Sequence, residues 1–292
     1  MHRRIFLKTI TLLPLAGVAM KLEAIGNSNS DQQNGKPMPV LFIGHGSPMN
    51  AIEDNEFTES WKTLGSEIPR PKAILTISAH WETKGTFITA MDHPKTIHDF
   101  FGFPEKLFAV QYPAFGDAKL AGEVHDHSGI PKIEMDNTWG LDHGTWSILT
   151  RMFPKADIPV LQLSLDHSLL PEEHYWLAKQ IKQLRNQGVL IMGSGNMIHN
   201  LRMIDWRNTN GGHPWAEAAN LKFKKLISAR DFLKLMHYDT LGEEIRLSVP
   251  TPEHFLPLLY VLALAEEDET ISFFNDRCVY GSLSMTSVKI NS

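Results

Sequence analysis

Short apolar runs that suit buried strands alternate with segments of helical period along most of this chain. The predicted strands span residues 38–43, 72–78, 86–91, 158–164, 189–192, 271–274 and 279–285. The predicted helices span residues 55–64, 119–128, 143–152, 171–186, 214–231 and 252–265. Because helices that connect parallel strands cover the faces of a sheet, this alternation predicts a single α/β domain. We expect a central, mostly parallel or mixed sheet with helices on both faces.

Composition narrows the kind of protein further. With 292 residues, 42% hydrophobic and 21% charged, the chain can bury a large core and does not have the composition of a disordered protein. Its formal net charge of -5 argues against a basic surface for nucleic acid, so no nucleic-acid partner is expected. Cys278 is the only cysteine, whereas there are 14 histidines. A metal held by this chain would therefore be bound by imidazole and carboxylate groups.

The N-terminus has the pattern of an export signal. Arg3 and Arg4 precede an apolar stretch over residues 9–20, which is too short for the roughly 20 residues that span a bilayer. We interpret residues 1–36 as a twin-arginine-like signal peptide and flexible tether, and residues 37–292 as the catalytic domain. The mature protein is then expected in the periplasm without stable membrane insertion. The alternative is a retained N-terminal segment on a cytoplasmic or membrane-anchored protein.

Three histidines lie where predicted strands end. His45 follows the first strand, His80 follows the second, and His199 lies a few residues beyond the strand at 189–192. Ligands of open α/β sheets bind outside the carboxyl ends of the strands, so parallel strands could bring these side chains together. Neutral imidazole is the commonest metal ligand in proteins. The placement therefore favours a metal site over three unrelated loop residues.

Two further histidines and one aromatic stretch are candidates. His254 is predicted to open a helix with Thr251 as its N-cap and Pro252 as its first residue, which would fix its direction. His143 also begins a predicted helix, where it could act as an acid or base or belong to a capping loop. The stretch over residues 93–103 is rich in histidine and phenylalanine. It could line a pocket for an aromatic ring or pack in the core.

Five sequence blocks together resemble the class III extradiol ring-cleavage dioxygenases, and among them the 4,5-DOPA dioxygenase extradiol type. The blocks are GHGSP at 44–48, SAHW at 78–81, LDHG at 141–144, GSGN at 193–196 and TPEHFLPL at 251–258. They occur in order within residues 38–286. The resemblance implies a single α/β domain that opens the ring of a catechol, DOPA-like substrate with O2.

The resemblance also implies roles for particular residues. His45, His80 and His254 would be metal ligands, and His199 either a fourth ligand or a nearby acid or base. His143 would contact the substrate as a second catalytic residue. One mononuclear divalent metal per chain is implied, with Fe(II) expected for ring cleavage and Zn(II) plausible as the bound ion.

The sequence departs from the family pattern in two respects, and two rival functions stay open beside it. His254 stands where protocatechuate-type relatives complete the metal site with a glutamate, and an all-histidine site suits zinc as well as iron. Export is also unusual, since most members resemble cytoplasmic enzymes. The alternatives are a zinc-dependent hydrolase, in which zinc-bound water attacks an ester or amide, and a non-catalytic Memo-like binding protein on the same fold. The particular catechol, the ring position and the oligomeric state are left open.

Overall fold

The computed structural model describes residues 36–291, which contain twelve strands and nine α-helices. The strands are β1 Val40–Gly44, β2 Ala73–Thr83, β3 Thr86–Thr89, β4 Lys95–Thr96, β5 Ile133–Asp136, β6 Gly140–Leu141, β7 Val160–Asp166, β8 Val189–Gly195, β9 Thr270–Phe274, β10 Cys278–Val279, β11 Leu283–Ser284 and β12 Ser287–Asn291. The helices are α1 Glu56–Glu67, α2 Glu105–Phe108, α3 Ala118–His127, α4 His143–Met152, α5 Pro171–Lys179, α6 Pro214–Ser228, α7 Phe232–Met236, α8 Glu243–Ser248 and α9 Leu256–Ala263.

Eight of these strands form one mixed sheet in the order β5-β3-β7-β2-β8-β1-β12-β9. The four central strands, β7, β2, β8 and β1, are mutually parallel. Antiparallel pairing joins β3 to β7 on one side, and β12 to β1 and β9 to β12 on the other. The predicted single α/β domain with a mixed sheet is confirmed.

The sheet is covered on both faces, as alternate residues of β1 show. Val40 and Phe42 pack in a hydrophobic cluster with residues of α5, α6 and α9. Leu41 and Ile43 pack in a second cluster with residues of α1 and α4. Because successive side chains of a strand point to opposite faces, the two clusters lie on opposite sides of the sheet. The expected helices on both faces are therefore present.

Several predicted boundaries differ from those observed. The predicted helix over 171–186 ends at Lys179, and a 3-10 helix, Lys182–Gln187, continues the chain. The predicted strand over 279–285 is instead the hairpin β10–β11, because positive φ angles at Tyr280 (50°) and Gly281 (75°) reverse the chain. Strands β5 and β12 were not predicted.

The start of α9 also differs from the prediction. The helix begins at Leu256, and residues 252–255 form a turn in which Phe255 N–H donates to Pro252 O. The Thr251 hydroxyl donates to Glu253 Oε1 at 2.8 Å, so Thr251 is not the N-cap. His254 consequently lies just before the helix rather than inside it.

Within residues 36–291, no helix is long and apolar enough to cross a membrane. The predicted signal peptide and tether lie, apart from Lys36, outside the described residues.

Candidate metal centre

Strand β1 delivers His45 to the carboxyl edge of the sheet. β1 pairs in parallel with β8 up to Gly44 and Gly195, and the His45 N–H then donates to Gly195 O at 3.1 Å. The side chain of His45 is buried. His45 therefore lies directly beyond the strand end, as the sequence predicts.

His80 reaches the same edge through an irregularity in β2. The register of β2 with β7 runs from Ile77 opposite Leu163 to Glu82 opposite Leu165, so β2 advances five residues while β7 advances two. His80 lies in this bulged segment. The prediction that His80 follows the strand is wrong, because β2 continues to Thr83. The bulge turns the His80 ring toward His45, with 5.0 Å between ring centroids.

The end of β8 positions His254. The Asn196 N–H donates to His254 O at 2.9 Å, which attaches the turn before α9 to the strand end. A Cβ atom at Gly195 would lie 2.2 Å from that same carbonyl oxygen. Only glycine therefore allows the two chain segments to approach this closely.

All five histidines predicted for the site are brought together. The His254 ring centroid lies 5.3 Å from that of His45 and 5.1 Å from that of His80. His143 lies 3.9 Å from His80 on the same measure. His199 is stacked on His254, with centroids 3.5 Å apart and ring planes 10° apart.

Hydrogen bonds fix the tautomer of His45. The Ser194 hydroxyl donates to Gly144 O at 2.6 Å, so its proton is already engaged. His45 Nδ1, 3.0 Å from Ser194 Oγ, must then be the donor in that contact. An imidazole that donates through Nδ1 has a free lone pair on Nε2, which is the form that binds metals.

The other two rings have the same arrangement. His80 Nδ1 lies 3.3 Å from the carboxylate of Asp99, and His254 Nδ1 lies 3.1 Å from that of Glu253. The Nε2 atom of His254 is buried and has no hydrogen-bond partner. Glu253 accepts a hydrogen bond from His254 Nδ1, and the Asp99 carboxylate places a negative charge beside His80 Nδ1, so both contacts favour the lone pair on Nε2.

This arrangement fits a bound cation. His45 Nε2 and His80 Nε2 lie 3.2 Å apart, so two lone pairs face each other unless a cation or proton lies between them. Burial, aided by charge repulsion from neighbouring histidines, lowers the pKa of His45 and of His254 well below the usual value and that of His80 to about 3. Protons are therefore disfavoured, and three imidazole nitrogens suit a transition metal or zinc.

Two separate sets of side chains have ligand atoms close enough to hold a metal ion. One set is His45, His80 and His143, and the other is His199, Glu253 and His254; within each set the ligand atoms lie within 4.8 Å of one another. The predicted triad takes two members from the first set and one from the second. The carboxylates of Asp99 and Glu253 were not predicted as partners of these rings.

The aromatic stretch is divided between the site and the surface. Phe100 packs edge-on against His143 at 5.6 Å, and Phe100 and Phe103 both pack on the hydrophobic core. Phe101, by contrast, is 91% exposed. Phe100 therefore packs on the core and also lies beside the site histidines. Both interpretations of this stretch, core packing and a pocket wall, hold for this residue.

The fold and the histidine cluster together define an α/β protein with a metal-binding site at the carboxyl edge of its sheet. A family model described as the catalytic LigB subunit of aromatic ring-opening dioxygenase matches residues 39–289. The chain belongs to this family, and the class III extradiol dioxygenase expected from the sequence is confirmed. The hydrolase and Memo-like alternatives are not favoured, because the matching family is one of ring-opening dioxygenases.

Relatives with names or structures agree with this assignment. A protein of Escherichia coli (strain K12) named 4,5-DOPA dioxygenase extradiol is 43% identical over 260 residues, covering 87% of this chain and 94% of the relative. A protein of the same name from Beta vulgaris is 37% identical, covering 87% and 96%. The crystal structure of an uncharacterized protein from Escherichia coli K12 superposes with a TM-score of 0.74 at 40% identity, covering 87% of this chain and 99% of that one.

Proposed function

We propose that this enzyme opens the ring of a DOPA-like catechol with O2, at one divalent metal bound by His45, His80 and His254. The observation that carries the proposal is the convergence of three imidazole rings whose Nδ1 atoms are engaged elsewhere. Their Nε2 atoms are left for a metal. The names of the relatives support a DOPA-like substrate.

The protein contributes histidine side chains that are kept in the neutral form. A bound Fe(II) would supply the electron transfer from catechol to O2 that ring opening requires. Burial, opposed by the charge of Glu253, lowers the pKa of His199 to about 4, so this ring is neutral at pH 7, and its stacking on His254 places it beside the proposed metal. We assign His199 the role of base toward a catechol hydroxyl.

His143 is placed to contact the substrate. Its Nδ1 donates to Asp99 Oδ2 at 2.9 Å, which leaves Nε2 as an acceptor for a catechol hydroxyl. Phe100 packs edge-on against the same ring. We therefore assign His143 to orient the substrate and His199 to move its proton.

The active metal is proposed to be Fe(II), although an all-imidazole site also binds Zn(II). Zinc has no redox chemistry, so a zinc-loaded protein should not activate O2. The experiment compares protein stripped by a chelator and reloaded anaerobically with either Fe(II) or Zn(II). Each form is then given L-DOPA under air in an oxygen electrode.

We expect the Fe(II) form to consume one O2 for each L-DOPA and the Zn(II) form to consume none. His45→Ala treated in the same way is the control for adventitious iron and should be inactive. If neither form consumes O2 with L-DOPA or with a panel of other catechols, the proposal is wrong. Uptake with another catechol alone would refute the DOPA-like substrate but keep the reaction.

Export by the twin-arginine route is a separate proposal. Arg3 and Arg4 before a short apolar stretch support it. This route moves folded proteins, which suits an enzyme that acquires its metal before export. The mature enzyme would then act in the periplasm.

A further inference from the structure

Asp99 lies between two of the site histidines, in the loop between β4 and α2. Its Oδ2 atom is 2.9 Å from Nδ1 of His143 and 3.3 Å from Nδ1 of His80. Its Oδ1 atom accepts the backbone N–H of His143 at 2.9 Å. One carboxylate therefore contacts both rings and the first residue of α4.

These contacts favour one tautomer in each ring: the His143 contact is a hydrogen bond, and the His80 contact places a negative charge beside Nδ1. An ionised carboxylate only accepts hydrogen bonds, so each Nδ1 beside it is favoured in the N–H form. His80 and His143 then both present an unprotonated Nε2 to the site. The His80 Nε2 faces His45 Nε2 at 3.2 Å, on the side where we place the metal.

The surroundings of Asp99 are held by other contacts. The Ile97 N–H donates to Leu141 O at 2.7 Å, and the Trp146 indole N–H donates to Ile97 O at 2.8 Å. The His98 ring contacts Val110 O at 2.9 Å through its Nε2. The loop therefore has anchors independent of the Asp99 carboxylate, and an isosteric change at Asp99 need not unfold it.

The start of α4 is fixed from the opposite side as well. The Asp142 side chain caps α4 by accepting the Thr145 N–H at 3.2 Å. The same carboxylate accepts the Ser78 hydroxyl at 2.7 Å and the Gln162 amide at 2.6 Å, which connects α4 to β2 and β7. The start of α4 is therefore held by hydrogen bonds to Asp142 as well as to Asp99.

We propose that Asp99 is a positioning residue shared by the metal side and the substrate side of the centre. It favours the Nδ1-protonated tautomer in both rings. In His80 this leaves Nε2 free to bind the metal, and in His143 it leaves Nε2 free to accept a hydrogen bond from the substrate. The inference rests on the proposed function for the assignment of His80 as a ligand. It goes beyond that function by making a single carboxylate responsible for both rings.

Asp99→Asn tests the inference because it keeps the shape and changes the hydrogen bonding. An amide nitrogen in place of Oδ2 donates, so a neighbouring Nδ1 must accept and its Nε2 must carry the proton. Such a ring cannot bind a metal through Nε2. Loss of a carboxylate behind a metal-binding histidine typically weakens metal affinity by about 10–100-fold.

The first measurement is competition for Zn(II) between the full-length apoprotein and a chromophoric chelator. We expect Asp99→Asn to lose about 10–100-fold in Zn(II) affinity. Asp117→Asn is the matched control: Asp117 caps α3 by accepting the Leu120 N–H at 2.8 Å, and its change should leave affinity unaltered. Wild-type affinity in Asp99→Asn would overturn the proposal. Wild-type affinity in His80→Ala would instead refute the proposed metal centre.

The second measurement needs no change at Asp99. Nitrogen chemical shifts of 15N-histidine-labelled, Zn(II)-loaded wild-type protein report which ring nitrogen carries the proton, and His143→Asn identifies the His143 signals. We expect His143 and His80 to be protonated on Nδ1. A proton on Nε2 of His143 would overturn the shared role of Asp99, whether or not Asp99→Asn folds.

Discussion

The imidazole rings of His199 and His254 are stacked face to face, with centroids 3.5 Å apart and planes 10° apart. The contact holds His199 through its ring face, so a metal is not needed to keep it in place. His254 in turn donates from Nδ1 to Glu253. A histidine held in this way can stay beside a metal ligand without being one.

Replacement of His199 separates these two roles. His199→Gln should keep the full metal content and lower catechol turnover by about 10²–10⁴-fold, as expected for loss of an acid–base group. Metal content and turnover are to be measured on the same Fe(II)-loaded sample, beside His45→Ala. Metal loss as large as in His45→Ala would make His199 a ligand.

Gly144 should tolerate no side chain, although it lies in a helix where alanine is normally preferred. A Cβ there would lie 2.7 Å from Ser78 Oγ and 3.0 Å from the His80 ring. Gly144→Ala should therefore lower the free energy of unfolding by about 1–3 kcal/mol and weaken Zn(II) binding.

The matched control for Gly144 is Gly122→Ala in α3, where the Cβ meets nothing within 4 Å. This change should raise the free energy of unfolding by up to about 1 kcal/mol, because alanine favours helix. Urea unfolding of both variants measures the difference. Equal effects at the two positions would show that the space beside His80 is not restricted.

His174 should make the protein sensitive to acid. It is buried against the Tyr260 hydroxyl at 3.0 Å, and burial lowers its pKa from 6.5 to about 4. Below pH 6.5 the unfolded chain takes up a proton that the folded protein does not, so stability falls as pH falls toward 4. Between pH 6.5 and 5 the loss from this residue should be roughly 2 kcal/mol.

Urea unfolding at pH 7.5 and pH 5 measures this loss. His174→Gln should depend less steeply on pH than the wild type, whereas His127→Gln, at an exposed position of α3, should match the wild type. An unchanged pH dependence in His174→Gln would contradict the effect of burial.

We expect export to depend on the paired arginines Arg3 and Arg4. In a bacterial host, Arg3→Lys combined with Arg4→Lys should leave the protein unprocessed in the cytoplasm, whereas Lys8→Arg should be exported normally. Cell fractionation and the mass of the mature chain measure both. A wild-type protein found unprocessed in the cytoplasm would show that the N-terminus is not an export signal.

The central strands were predictable because their signal is local. β1, β2, β7 and β8 are largely buried, and each contains a short run of mostly apolar, strand-forming residues in the sequence. The edge strand β5 and the strand β12, which lies between β1 and β9, mix charged with apolar residues, so their strand character depends on their pairing partners in the sheet. The sequence also did not predict that the strand expected over 279–285 is interrupted at Tyr280. A positive φ at a non-glycine residue depends on tertiary contacts, which the local sequence does not show.

The histidines of the site could be predicted because the carboxyl ends of parallel strands meet at one edge. The carboxylates that contact these histidines could not be predicted from the sequence. Asp99 lies 44 residues from His143 in a loop without regular structure, and no sequence pattern links the two. The bulge that places His80 depends on the register between β2 and β7, which only the folded sheet shows.

The fate of the oxygen atoms of O2 tests the proposed reaction most directly. Fe(II)-loaded enzyme and L-DOPA are to be mixed under 18O2, and the ring-opened product examined by mass spectrometry. Extradiol cleavage should place one 18O atom in the newly formed carboxyl group, which does not exchange with water under mild conditions. A ring-opened product labelled only from water, or 18O recovered only in hydrogen peroxide or water, would contradict a dioxygenase reaction at this centre.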